Sequence, residues 1–190
     1  MIAVSRRGAG LNSDMGRLVF VTGGARSGKS SYAQQRAEVL SGRLLYVATA
    51  TIGDAEMAAR VRRHQLERDE RWLTLEAQAD LTAQLSTAAK GCSAVLVDCL
   101  TLWLNGRMAV DGTDADKIAT AGIDLLAALQ ALPATVFVVS NELGCGIVPE
   151  NRLARSFRDL HGLLNQRFAA AADEAWLVVS GLPLQLKSNC

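Results

Sequence analysis

Residues 23–30 read GGARSGKS and fit the pattern G-x-x-x-x-G-K-[ST]. Gly23, Gly24 and Gly28 let a backbone wrap a phosphate without Cβ clashes. The amides around Ala25, Arg26 and Ser27 can then turn inward at a helix N-terminus, where an anion is stabilised. Lys29 reaches toward β- and γ-phosphates, the Ser30 hydroxyl suits Mg²⁺, and Ser31 continues the first helical turn. The plainer reading is a tight glycine turn with an incidental lysine. An apolar strand before the loop and a helix after it favour phosphate binding. Asp98 ends the run AVLVD, and a carboxylate there can hold Mg²⁺ through water. Alternatively, it only caps the following turn.

The second reactive pattern is DAEMAARVRRHQLERDERW, residues 54–72. With Asp54 as N-cap, a helix running through Arg68 puts Arg60, His64 and Arg68 at i, i+4 and i+8 along one side. An imidazole between two guanidiniums can attack the α-phosphorus of a nucleoside triphosphate and expel pyrophosphate. The same helix also sets Met57, Val61 and His64 at a core-facing spacing, and on spacing alone a packed, hydrogen-bonded histidine is the commoner case. His161, in RDLHGLL, reads as structural or solvent-exposed. Glu76, in RWLTLE, can accept hydrogen bonds from a ribose or a guanine edge, although an ordinary surface glutamate is the commoner case. Asn141 and Glu142 follow an apolar strand, where open α/β sheets place ligands. Arg152 and Arg155 begin the next helix and can pair with a substrate phosphate, or simply form a solvated charged face.

The kind of phosphate chemistry is narrowed by what is missing. The four lysines are Lys29, Lys90, Lys117 and Lys187, and none stands in an Asn-Lys-x-Asp guanine motif. The chain is short for a motor ATPase. A small-molecule kinase or a nucleotidyltransferase fits these residues better.

Short apolar runs alternate with longer helical stretches. Strands are expected at 18–22, 44–48, 94–98, 135–140 and 175–180, with a short edge strand near 182–187. Helices are expected at 30–40, 54–68, 114–132 and 150–172. That order argues for a parallel sheet covered on both faces, and the strands are apolar throughout, as buried parallel strands are. The 190 residues suffice for one domain with a real core. Hydrophobic residues make up 49% and charged residues 21%, which excludes general disorder. Twenty Lys+Arg against nineteen Asp+Glu give a net charge of +1, so no global basic field points to nucleic acid. No apolar run reaches the roughly 18 residues of a membrane span. Cys92, Cys99, Cys145 and Cys190 show no C-x-x-C spacing, and only two histidines accompany them, which speaks against zinc and for reduced thiols. The first 14 residues lack an apolar signal core. Residues 1–15 are therefore expected to be a flexible extension, and residues 16–190 one domain, with a cytoplasmic location.

GGARSGKS, LLYVATA, DAEMAARVRRHQLER with RWLTLE, VLVDCLTLWLNG and the stretch SNELGCGIVPENRLARSFRDLHGLLNQRFAAAADEAWLVVSGLPLQLK together resemble one family. It is the bifunctional adenosylcobinamide kinase/adenosylcobinamide-phosphate guanylyltransferase family of cobalamin biosynthesis, and the resemblance spans roughly residues 16–187. It implies an α/β, three-layer P-loop NTPase (RecA-like) fold: a mainly parallel sheet with helices on both faces and an added antiparallel edge. It implies two reactions on a corrinoid. A nucleoside triphosphate phosphorylates adenosylcobinamide; then GTP guanylylates a histidine, which passes GMP to adenosylcobinamide phosphate. It further implies Mg²⁺ as cofactor, GTP and ATP as substrates, and a homotrimer. His64 matches the guanylylated position. Thr49, Arg68 and Glu76 join residues 23–31 and Asp98 in the implied nucleotide site. Two rival classes remain beside it: a kinase without the second activity, and a nucleotide-binding regulator.

Overall fold

The computed structural model describes residues 16–49, 68–76 and 81–188. Seven strands form one sheet: β1 (Leu18–Gly23), β2 (Arg43–Ala48), β3 (Trp72–Glu76), β4 (Cys92–Asp98), β5 (Thr135–Asn141), β6 (Glu174–Val179) and β7 (Leu182–Ser188). The described helices are α1 (Lys29–Glu38), α2 (Leu81–Ala88), α3 (Leu100–Asp111), α4 (Ala115–Gln130) and α5 (Arg152–Ala171). The sheet order is β3-β2-β4-β5-β1-β6-β7. Every neighbouring pair is parallel except the antiparallel β6–β7 hairpin. The mainly parallel sheet and its antiparallel edge match the expected architecture.

The apolar strands arise because both faces are covered. Leu18 and Phe20 point into one core with Leu45, Val95, Val97, Val136 and Val138, packed under α2 to α5. Val19 and Val21 point the other way, with Leu44, Leu96, Phe137 and Val139, under Ala33 and Ala37 of α1. Alternate residues of one strand thus feed two cores, which demands apolar side chains at every position. Ion pairs to one buried carboxylate fix α1 to the sheet. Arg36 donates to both carboxylate oxygens of Glu174 at 3.0 and 3.3 Å, and Arg17 pairs with the same group at 2.7 Å. Burial pushes the Glu174 carboxyl up, but hydrogen bonds from Arg36 and Trp176 outweigh it and hold it below its usual range.

Several expectations are corrected. The helix expected over 114–132 begins at Ala115, because the Asp114 side chain caps the amides of Asp116 and Lys117, and it ends at Gln130. Arg68 lies in a bend, not in a helix, while residues 54–67 of that expected helix lie outside the described residues. Three elements were not expected: β3, α2 and α3. The β3 strand sits at the sheet edge with three of its five residues exposed, so it lacks the apolar run that marks the inner strands. Residues 1–15 also lie outside the described residues. Among the described residues no helix is long and apolar enough to cross a membrane.

Topology determines where chemistry can occur. The carboxyl ends of the parallel strands bring Gly23, Ala48, Glu76, Asp98 and Asn141 to one edge of the sheet. One strand, β5, separates β1 from β4, and Gly23 stands beside Asn141 in register.

Candidate active site

The loop between β1 and α1 is built by backbone geometry. A Cβ on Gly23 would run into the Val178 carbonyl oxygen. Gly28 has φ 93°, a left-handed conformation that glycine adopts readily, and Gly181 of the β6–β7 turn leaves little room above it. The Gly181 amide donates to the Ser27 carbonyl at 2.8 Å, so the hairpin turn buttresses the loop. Ser27 N–H donates to the Gly24 carbonyl at 3.2 Å. Lys29 is buried, and its ammonium donates to the Gly24 carbonyl at 3.2 Å. The Ser27 hydroxyl is buried with no hydrogen-bond partner among the described residues. A buried orphan hydroxyl in a glycine-rich loop beside a buried ammonium fits an anion that would supply the missing partner.

Oxygen ligands converge beside the loop. The Ser30 hydroxyl lies 3.3 Å from one Asp98 carboxylate oxygen, and the Tyr46 hydroxyl donates to the other at 3.0 Å. Burial, reinforced by the negative Asp98, pushes the Tyr46 phenol well above its ordinary pKa, so it stays a donor. A serine hydroxyl and a carboxylate in contact form a hard-oxygen pair suited to Mg²⁺. Thr49 is buried at the same corner. Its hydroxyl accepts from the Cys99 amide and donates to the Cys99 carbonyl, both at 2.6 Å. Its oxygen therefore clamps the chain just after Asp98.

The flanks are more open. The Arg68 guanidinium lies over the Tyr46 ring, 3.5 Å from its centroid, and Glu76 is exposed at the end of β3. In register, Glu76 pairs with Ala48, which pairs with Asp98. On the other side, the Glu142 amide donates to the Gly23 carbonyl at 2.9 Å, and the Glu142 carboxylate accepts from the Gly144 amide at 2.6 Å. Arg155 donates to the carbonyls of Pro149 and Glu150 at 3.0 and 2.6 Å, holding the segment before α5. Arg152 lines a cavity of about 380 Å³ with Thr113, Asn151, Leu153 and Ser156.

The structure thus gathers residues 23–31, Thr49 and Asp98 at one corner, with Asn141 and Glu142 adjoining it. It sets Arg68 and Glu76 on one flank and Arg152 and Arg155 at the start of α5. His64 and Arg60 lie outside the described residues. Sequence reasoning missed Tyr46 and Arg158, whose guanidinium grips the Gly144 and Gly146 carbonyls at 2.9 and 3.1 Å. It also missed a polar cluster of Thr101, Ser140 and Asn165 around His161. Only Ser140 stands out in sequence, as a polar residue closing an apolar strand; Thr101 and Asn165 lie in helices of mixed composition and give no signal. His161 itself is buried, which decides between the two readings of it.

Residues 19–186 match the family described as cobinamide kinase/cobinamide phosphate guanyltransferase, CobU. The chain is 44% identical over 184 residues to the bifunctional adenosylcobalamin biosynthesis protein CobU of Salmonella typhimurium, covering 90% of this chain and 99% of that one. The Escherichia coli K12 protein of the same name is 43% identical over 184 residues, with the same coverage. The bifunctional adenosylcobalamin biosynthesis protein CobP of Pseudomonas aeruginosa is 40% identical over 170 residues, covering 90% and 97%. Among solved structures, the P4 protein of bacteriophage phi6 in complex with ADP superposes with a TM-score of 0.46 at 16% identity, covering 88% of this chain and 52% of that one. The family match across nearly the whole described sheet, with relatives this similar end to end, places the chain in the cobinamide kinase/cobinamide phosphate guanyltransferase family.

Proposed function

We propose that the chain carries out both reactions of its family and that one phosphate loop serves them both. In the first, the aminopropanol hydroxyl of adenosylcobinamide attacks the γ-phosphorus of ATP or GTP, the bond to the leaving nucleoside diphosphate breaks, and the hydroxyl proton is released. In the second, the imidazole of His64 attacks the α-phosphorus of GTP and pyrophosphate leaves. The phosphate of adenosylcobinamide phosphate then attacks the guanylyl phosphorus. Adenosylcobinamide-GDP forms and the imidazole is regenerated. The observation that carries this reading is the convergence of Lys29, the orphan Ser27 hydroxyl and the Ser30–Asp98 pair at one corner of the sheet.

Each residue has a chemical task. Lys29 and the loop amides bind phosphate oxygens and favour the charge that develops as the bond breaks. Ser30 and Asp98 would hold Mg²⁺, which neutralises phosphate charge when bound. Asn141 and Glu142 orient the accepting group beside Gly23. Arg152 offers a cation to the substrate phosphate, and Arg155 fixes the segment that carries it. Arg68 and Glu76 take the nucleoside side, toward β3. His64 must be neutral to attack phosphorus. A homotrimer is part of the same proposal. Leu182, Leu184 and Leu186 are 73%, 58% and 58% exposed along the edge strand β7, a surface that a second chain would cover.

The test is incubation with α-labelled GTP. Parent protein should acquire an acid-labile, base-stable label, the signature of a phosphoramidate. His64→Ala should acquire none while still phosphorylating adenosylcobinamide, because direct phosphoryl transfer needs no protein nucleophile. Retained label in His64→Ala would refute the histidine route.

A further inference from the structure

A closed ring of hydrogen bonds lies immediately behind Asn141. The Asn141 amide donates to the Thr101 hydroxyl at 3.0 Å. That hydroxyl is 3.0 Å from His161 Nε2, and the Ser140 hydroxyl is 3.1 Å from the same nitrogen. Ser140 donates to Asn165 Oδ1 at 2.6 Å, and Asn165 Nδ2 donates to the Asn141 carbonyl at 2.9 Å. Both backbone groups of Asn141 are therefore held by one circuit that passes through a single imidazole. The circuit is buried: His161 is 1% and Ser140 0% exposed, and Phe157 stacks on the imidazole with centroids 5.9 Å apart.

Ser140 donates to Asn165 Oδ1, which leaves its oxygen to accept from an Nε2–H. Nδ1 stands 3.5 Å from Asn165 Nδ2, a donor group, and suits it as an acceptor. A neutral imidazole with its proton on Nε2 meets both neighbours, and a proton on Nδ1 would set donor against donor.

Three elements meet at this point. Thr101 is in the first turn of α3, Ser140 and Asn141 end β5, and His161 and Asn165 lie one turn apart on α5. A packed apolar core would have cost less desolvation than five polar groups. What the polar circuit adds is direction, since it orients one peptide next to Gly23 of the phosphate loop. Strand alternation then points the Asn141 side chain to the face that Val139 shares with α1, not to the buried face of Ser140.

We propose that His161 is a positioning residue for the kinase step, holding the Asn141 peptide so that its side chain meets the accepting hydroxyl of the corrinoid. This rests on the reading that Asn141 belongs to the substrate site. His161 touches no substrate and transfers no proton. Its effect falls on turnover, through the alignment of the acceptor with the γ-phosphate.

The experiment compares parent protein with Asn141→Ala, His161→Leu, His161→Gln and Ser140→Ala. It measures kcat and KM for adenosylcobinamide phosphorylation, affinity for Mg-ATP, and melting midpoint, with assays run well below the lowest midpoint. His161→Leu keeps the volume and removes the circuit, so kcat should fall about tenfold or more with Mg-ATP affinity unchanged. His161→Gln puts an amide nitrogen near the place of Nε2 and should recover kcat to within about threefold of parent. Ser140→Ala opens the same circuit with a smaller change and should lower kcat in the same direction. Should His161→Leu fail to fold, Ser140→Ala and His161→Gln decide the matter. Parent-like kcat in Ser140→Ala or His161→Leu overturns the proposal when Asn141→Ala is slow, as does His161→Gln no faster than His161→Leu. A parent-like Asn141→Ala overturns instead the reading of Asn141 as a substrate residue, and the present proposal falls with it.

Discussion

Two corners of one sheet edge, Gly23 and Asn141, stand side by side in register and are built by opposite means. The phosphate-loop corner is held by backbone: a left-handed glycine, a buttressing turn and a Ser27–Gly24 hydrogen bond. The Asn141 corner is held by side chains from α3, β5 and α5. The first is contiguous over eight residues and charged. The second spans Thr101 to Asn165 and is neutral. The difference shows how a site can separate binding from alignment. Charge and amides at the loop would set how strongly phosphates are held, whereas the dispersed polar circuit would set where the acceptor meets them.

Breaking the loop corner should give the largest effect. Lys29→Ala removes a buried ammonium that donates to the Gly24 carbonyl, and both reactions would lose the same charge partner. Kinase and guanylyl transfer should each fall about 10²-fold or more. Steady-state rates for both reactions on one preparation check this. Full activity in either one would mean that the loop does not serve it.

A step smaller is Asp98→Asn. The amide keeps the shape and can still meet Tyr46 and Ser30, but it loses the negative charge that Mg²⁺ requires. Mg-nucleotide affinity should weaken by roughly tenfold, with the melting midpoint little changed. A titration of Mg²⁺ at fixed GTP reads this directly. If the Mg²⁺ requirement is that of the parent, Asp98 only caps the turn before α3.

The same contrast explains what the sequence disclosed. The loop was legible because its chemistry is local: three glycines, a lysine and a serine at fixed spacing can be recognised without knowing what lies near them in space. Asp98 was legible because it ends an apolar run. The inner strands were legible for the same reason, since burial on two faces leaves no polar alternation. By contrast, β3 is half-exposed and lacks the apolar run of the inner strands, and α3 follows Asp98 with no capping side chain at Cys99 to announce it. Thr49 was placed at the nucleotide site, yet the structure shows its hydroxyl engaged with the Cys99 backbone, a partner fifty residues away. The circuit around His161 was illegible because none of its members is informative alone. Only the fold makes Thr101, Ser140 and Asn165 neighbours.

The gentlest way to sharpen the comparison is acid. Burial lowers the His161 pKa from 6.5 to about 4, and the negative Glu142 only partly opposes that. Thr101, Ser140, Asn165 and Phe157, the remaining groups around the ring, are uncharged. In the unfolded chain an imidazole takes up a proton as pH falls through about 6.5, while the folded one does not until about 4. The unfolded state thus binds more protons between those values, and stability must fall with pH across that window. Above 6.5 the effect is absent, and below 4 it grows no further. By pH 5 the loss assigned to this ring is on the order of 1–2 kcal/mol. Other groups titrate too, Glu174 among them, but they titrate equally in a His161→Gln protein. The measurement is therefore a difference: urea unfolding of parent and His161→Gln at pH 7, 6 and 5. The parent should lose about 1–2 kcal/mol more than the variant between pH 7 and 5. Parallel losses would mean that the imidazole reaches solvent or a counter-charge when protonated, and the buried, neutral character of the Asn141 corner would have to be abandoned.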